Sequence, residues 1–243
     1  MRICKFSMVL ILGATLAGAQ QASESKGSIS TFGELLSQHN VGLTEAALVN
    51  ALRDVDPKIR YLAAEKLAED KAYGAIPAIK AALASETIPS TRMNIAFALA
   101  QFGEASGFDT LEGNCRDREA QPGIRSRSAE YLLRFDREST GCFDALLDIA
   151  QTGTSGYRAE AASLLPKYHK LSNDGSSRVL FSLVDALHSS DAYVEMAASR
   201  ALVDLGDARA IAELRGAIAR QPEESIRERL KQDLRLLEAK PQP

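Results

Sequence analysis

The sequence predicts an all-α protein built as a solenoid of about six helix pairs, and three observations predict it. The first is a repeat. Steps of 32, 33, 33, 37 and 32 residues from Leu67 land on Leu99, Leu132, Leu165, Leu202 and Leu234. The same steps from Arg60 land on Arg92, Arg125, Arg158, Glu195 and Arg227, and from Ala64 on Ala96, Ala129, Ala162, Ser199 and Lys231. A fixed period of this size means stacked supersecondary units. The second observation is that each period holds two apolar stripes at helical spacing, with no alternating strand pattern to compete. The third is a recurring break between them, Asp56-Pro57, echoed by Pro89, Pro122 and Asp191.

The elements follow in order. Thr31 to Gln38 offers a short N-terminal capping helix. In the first repeat Thr44 can cap a helix carrying Leu48, Ala51 and Leu52. A second helix starts at Pro57, where a missing N–H costs nothing, and an acid just before it suits the positive end of the helix. Ile59, Ala63 and Leu67 give its buried stripe. The later first helices carry Ile76, Ile79 and Leu83; Phe108 and Leu111; Phe143, Leu146 and Ile149; Val179, Leu183 and Leu187; and Ile211, Leu214 and Ile218. The small column at Ala64 lets neighbouring helices approach closely. With no Trp and few aromatics, the core is expected to form from close helix contacts rather than large aromatic plugs. Pro166 should kink or end the second helix of repeat four. Lys167 to Ser177 then lengthens repeat five, as a tolerated loop or as part of a binding face. The last helix, charged at Glu223, Glu224, Arg227 to Lys231, Asp233 and Arg235, reads as a solvent-facing cap.

The Ile/Val-Arg-x-x-Ala-Ala-x-x-Leu columns, with Asp56-Pro57 as the inter-helix turn, resemble the HEAT-repeat family. They are most similar to the short HEAT-like repeats of phycobilisome lyases. The resemblance covers about residues 41 to 239. Tetratricopeptide repeats have a similar length but carry Trp, Gly and Tyr landmarks that this chain lacks. The resemblance implies a right-handed α–α superhelix with an extended binding face and a scaffolding or regulatory role. It also implies that Arg60, Arg92, Arg125, Arg158 and Arg227 form a structural ladder with acids or carbonyls of neighbouring repeats. The competing reading is a row of guanidinium groups that holds an acidic partner.

Residues 1–19 read as a secretory signal peptide. A basic start (Arg2, Lys5) precedes the apolar run from Met8 to Leu16, and Ala17-Gly18-Ala19 supplies small residues for cleavage. The alternative is an uncleaved anchor. Residues 20–30 read as a flexible leader, 31–239 as the repeat domain and 240–243 as a tail. The chain is expected to be exported, to the periplasm or outside the cell. Of 29 basic residues the signal segment takes two, leaving 27 against 32 acids, a net of −5. That balance argues against a nucleic-acid partner, and no integral membrane segment is expected after cleavage. Cys115 and Cys142 remain. An exported chain invites a disulfide, but the repeat register argues against one. If the first helices of repeats three and four stack in parallel, the two are offset by roughly 12 Å along the axis at 1.5 Å per residue. A disulfide needs Cα atoms within about 7 Å.

No catalytic constellation emerges. His39, His169 and His188 have no metal-ligand spacing and no adjacent Glu, so the His-Glu pairs of HEAT-like iron hydroxylases are missing. No phosphate loop, nucleophile elbow or C-x-x-C is present. Asn173-Asp174-Gly175 is a turn, with too few acids for a calcium loop. The chain is therefore expected to be a non-catalytic scaffold, without a cofactor, that binds a protein or peptide along the inner face of the stack. The alternative is a tetrapyrrole- or cofactor-handling protein of the lyase kind; a third reading is an accessory module of a larger cell-envelope assembly. With Ile59, Ala63 and Leu67 buried, the exposed stripe is expected at positions 61, 62, 65 and 69 and their equivalents. Tyr61, Met93, Asn94, Phe97, Arg127 and Glu130 are the predicted partner-binding residues. An exposed apolar cluster with a polar rim suits an interaction site; the alternative is that these side chains merely pack under the N-terminal segment.

Overall fold

The computed structural model describes residues 31–240. The signal peptide and leader expected at 1–30 lie outside the described residues, as does most of the tail. From Phe32 onward the chain forms one compact unit. It contains α1 (Phe32–Gln38) and six helix pairs, and no strand occurs among the described residues. The pairs are α2 (Glu45–Ala51) with α3 (Pro57–Glu69), α4 (Ile76–Ser85) with α5 (Pro89–Gln101), and α6 (Ala105–Arg116) with α7 (Pro122–Leu133). They continue with α8 (Thr140–Thr152) and α9 (Ser155–Leu164), α10 (Gly175–Leu187) and α11 (Ala192–Leu205), and α12 (Ala210–Arg220) and α13 (Glu224–Glu238). The architecture is the expected all-α solenoid.

Local chemistry sets the helix starts. The Thr44 side chain accepts from the Ala47 N–H, Asp56 from Lys58, and Asp191 from Tyr193 and Val194. Each satisfies a backbone donor that the first helical turn leaves orphaned. Pro57, Pro89 and Pro122 open α3, α5 and α7 as first helical residues. The second helices pack in a row, α3 on α5, α5 on α7, α7 on α9, α9 on α11 and α11 on α13. The Leu column from Leu67 to Leu202 and the small column from Ala64 to Ser199 are completely buried between them. Both columns fail at the last helix, where Leu234 and Lys231 are only half-buried. At the other end α1 packs on α3 and buries Leu36.

Gly107 shows how close the helices come. A Cβ there would lie 2.5 Å from the Ala96 carbonyl oxygen and 2.6 Å from the Ala100 nitrogen. Any side chain at this position would push α6 off α5.

Three expectations need correction. The charged last helix is not purely a solvent cap: Asp233 is buried, and one of its oxygens accepts from the Ser199 hydroxyl at 2.9 Å. Secondly, Pro166 does end α9, at Leu164, but the segment after it is not simply a loop. Leu165–Tyr168 form one 3-10 turn that drives Tyr168 into the core. Tyr168 is 0% exposed, its ring lies parallel to Phe143 at 6.4 Å, and its hydroxyl donates to the Ala129 carbonyl at 3.0 Å. A large aromatic plug therefore does exist, on a chain otherwise packed through Ala and Leu.

The third correction is the disulfide. Cys115 and Cys142 are bonded, with Cα atoms 4.7 Å apart. The premise that equivalent positions of α6 and α8 lie level is wrong. The last turn of α6 meets the first turn of α8, so that a Cβ on Gly141 would stand 2.7 Å from Cγ of Arg116. By contrast α8 and α10 do stack nearly level, as the 2.7 Å pair between Asp144 and Arg178 records. A regular period carries no sign of this offset.

Candidate partner-binding face

The exposed side of the second helices was the predicted site, and its first three members, α3, α5 and α7, are tied by side chains that cross from helix to helix. Glu65 on α3 accepts from the Gln101 amide on α5 at 2.8 Å. Asn94 on α5 accepts from the Tyr131 hydroxyl on α7 at 2.9 Å. Phe97 stacks on Tyr131 with ring centroids 4.0 Å apart, and the Arg134 guanidinium lies over both rings. Arg127 pairs with Glu130 at 2.7 Å, and its other terminal nitrogen lies 3.9 Å from Glu160 on α9.

The predicted residues divide on this geometry. Arg127 is exposed, and Tyr61, Asn94 and Glu130 are half-buried on the same surface. Met93 and Phe97 are not the exposed apolar patch that was expected: they are 6% and 8% exposed. Leu62 and Glu65, also assigned to the exposed stripe, are buried. The buried stripe is wider than Ile59, Ala63 and Leu67 because each second helix packs on a helix on either side as well as on its own partner. In these central helices polar groups are confined to a narrow strip. Gln101 and Arg134 lie on this surface as the equivalents of position 69 in the expected stripe, although they were not among the predicted binding residues; Tyr131 was outside the stripe and was missed.

Glu65 is the unusual group. It is 5% exposed, and burial pushes its carboxyl up to about 7. The Gln101 hydrogen bond and the Arg134 charge pull the other way without offsetting it. The folded state therefore holds a proton that the unfolded chain releases. Its stabilising effect is full below the ordinary value of 4.5 and is lost as pH rises through about 7. Glu65→Gln should remove this slope. Relative to the variant, the parent should lose on the order of 3 kcal/mol between about pH 4.5 and pH 8. Thermal melts of both proteins across that range check it, and parallel curves would place the titration elsewhere.

The residues that carry this face coincide with a known sequence family. Residues 45–133, from α2 through α7, match the sequence model for HEAT repeats. These residues are HEAT repeats. No curated protein matches the chain in sequence. Among solved structures, Escherichia coli YibA is 21% identical with a TM-score of 0.55, over 81% of this chain and 68% of that one. An engineered protein is 18% identical with a TM-score of 0.50, over 81% of this chain and 99% of the other. Human deoxyhypusine hydroxylase, solved with glycerol, is 19% identical with a TM-score of 0.43, over 81% and 74%. At such identities the likeness is one of fold.

In the HEAT repeats and their continuation the Arg column is used unevenly. Arg60 bridges repeats one and two: Nε and Nη2 reach the two oxygens of Glu86 at 2.7 and 3.0 Å, and Nη1 donates to the Asp54 carbonyl at 2.8 Å. Burial alone would raise the Glu86 carboxyl. Arg60 and the N–H groups of Ile88 and Thr87 outweigh it and hold Glu86 below the usual range. Arg125 reaches Asp148 of the next repeat at 2.7 Å. Arg158 and Arg227 donate to the carbonyls of Ala150 and Gln221, both at 3.0 Å, near the C-terminal ends of α8 and α12. A cation there complements the helix terminus. Glu195 accepts from Gln221 in the same place. The Arg92 guanidinium is exposed and has no hydrogen-bond or ion-pair partner among the described residues.

No group of three His, Cys, Asp or Glu able to hold a metal occurs among the described residues. None of the described helices is long and apolar enough to cross a membrane.

Proposed function

We propose that this chain is an exported, non-catalytic scaffold that binds a protein or peptide partner along the face of its second helices. The observation that carries the reading is the cross-helix network on α3, α5, α7 and α9. It fixes Tyr131, Arg127, Glu130 and Arg134 in place before any partner arrives, and preorganised side chains lose little entropy on binding. Tyr and Arg are also the residue types that dominate interface energetics. HEAT repeats generally mediate protein interactions, and the matched segment is the one that bears this face. The Cys115–Cys142 bond supports export, since disulfides persist in oxidising compartments.

The test is capture from the native cell envelope with the parent chain beside Arg127→Glu/Arg134→Glu. Both positions are exposed, so the double variant should fold. Phe97→Asp is unsuitable, because a charge in the Phe97 slot would disturb the core as well as the surface. The parent should retain one partner at fixed stoichiometry and the variant should lose it. The same proteins in both lanes would overturn the assignment of this face.

A further inference from the structure

A second feature lies away from the partner-binding face, where the last turn of α6 meets the first turn of α8. With the start of α7 they frame an open pocket of about 270 Å³ lined by Arg116, Arg118, Arg125, Gly141, Asp144 and Asp148. On a chain with a net negative charge, three guanidinium groups converge here.

Their charges are not fully matched. Arg116 pairs with Glu112 at 2.8 Å and Arg125 with Asp148 at 2.7 Å, while Asp144 is engaged by Arg178 from α10 at 2.7 Å. Arg118 has no hydrogen-bond or ion-pair partner among the described residues. Arg125 is 6% exposed, and its Nε is buried without an acceptor. The backbone adds to the imbalance. Ser139 caps α8 by accepting from the Cys142 N–H, whereas the Thr140 and Gly141 N–H groups have no acceptor among the described residues. Gly141 lines the pocket, and the start of a helix carries partial positive charge. The Cys115–Cys142 bond fastens one wall to the other.

We propose that this pocket binds a small oxyanion: phosphate, sulfate, or the phosphoryl group of a small phosphomonoester. Guanidinium forks match such an oxyanion in geometry and charge. Asp144 and Asp148 keep their own arginine partners and set the limit on size, which disfavours an extended polyanion.

Calorimetric titration of the oxidised chain with inorganic phosphate, sulfate and phosphoserine tests this, at an ionic strength held constant with chloride. One saturable site per chain is expected. Arg118→Ala, at an exposed position that should not affect folding, should weaken it about tenfold or more, the loss expected for one charge-assisted contact. Arg215→Ala, on the exposed side of α12, should leave it unchanged. Tighter binding of the free ions than of phosphoserine would identify an ion site, and the reverse order a phosphomonoester site. Absence of saturable binding above chloride, or equal affinity in parent and Arg118→Ala, overturns the proposal.

Discussion

Tyr168→Ala should destabilise the chain by about 3–5 kcal/mol, the usual cost of emptying a large aromatic site in a packed core. The side chain is wholly buried, and it fills the gap left where α9 stops at Leu164 before α10 begins at Gly175. Its neighbours belong to three repeats. The hydroxyl reaches Ala129 on α7, the ring lies along Phe143 on α8, and its turn packs against α10 and α11. Tyr168→Phe should cost only about 1 kcal/mol, because it keeps the ring and loses one neutral hydrogen bond. Urea unfolding of the two variants separates these terms. Equal losses would mean that the hydroxyl, not the ring, holds the repeats together.

Breaking the disulfide should cost nearly as much. The bond closes a loop with a sequence separation of 27 residues. The chain-entropy relation gives about 3–4 kcal/mol for a loop of that size. Cys115→Ser/Cys142→Ser should therefore unfold at a clearly lower urea concentration than the oxidised parent, and the reduced parent should fall between the two. Both cysteines are buried among apolar neighbours, so part of the variant's loss will be packing. The reduced parent keeps both sulfurs and isolates the contribution of the cross-link. If reduction leaves the midpoint where it was, the bond does not hold α6 against α8.

What could be read from the sequence, and what could not, divides along a physical line. Period, helix number and helix starts are local properties. Proline at the first helical position, an acid just before it and the Leu column recur at each step, and one repeat teaches the next. The errors concern what the period does not carry: how repeats deviate from one another, and how much of each helix its neighbours cover. The disulfide was disfavoured because equivalent positions of α6 and α8 were assumed to lie level. Met93 and Phe97 were placed on the surface because a single helix has an outside, whereas a helix with neighbours on both sides has only a strip of one. Tyr168 was placed in a loop because its segment interrupts the period, and nothing in the period marks an interruption as core. Asp233 and Glu65 are acids that only tertiary contacts could show to be buried. Tyr61, Asn94, Arg127 and Glu130 do reach the surface, because a polar residue at a given helical phase points outward wherever the helix is exposed.

The covalent link between α6 and α8 also bears on how the chain carries load. A solenoid pulled from its two ends normally gives up its repeats one at a time, each adding its full length of chain. Here tension that arrives at α6 crosses the sulfur bridge directly into α8, bypassing α7 and the segments on either side of it. Roughly 90 Å of extended chain, at about 3.3–3.6 Å per residue, is withheld from stretching. The middle of the array therefore serves as a mechanical clamp, and elongation under force falls to the repeats on its flanks.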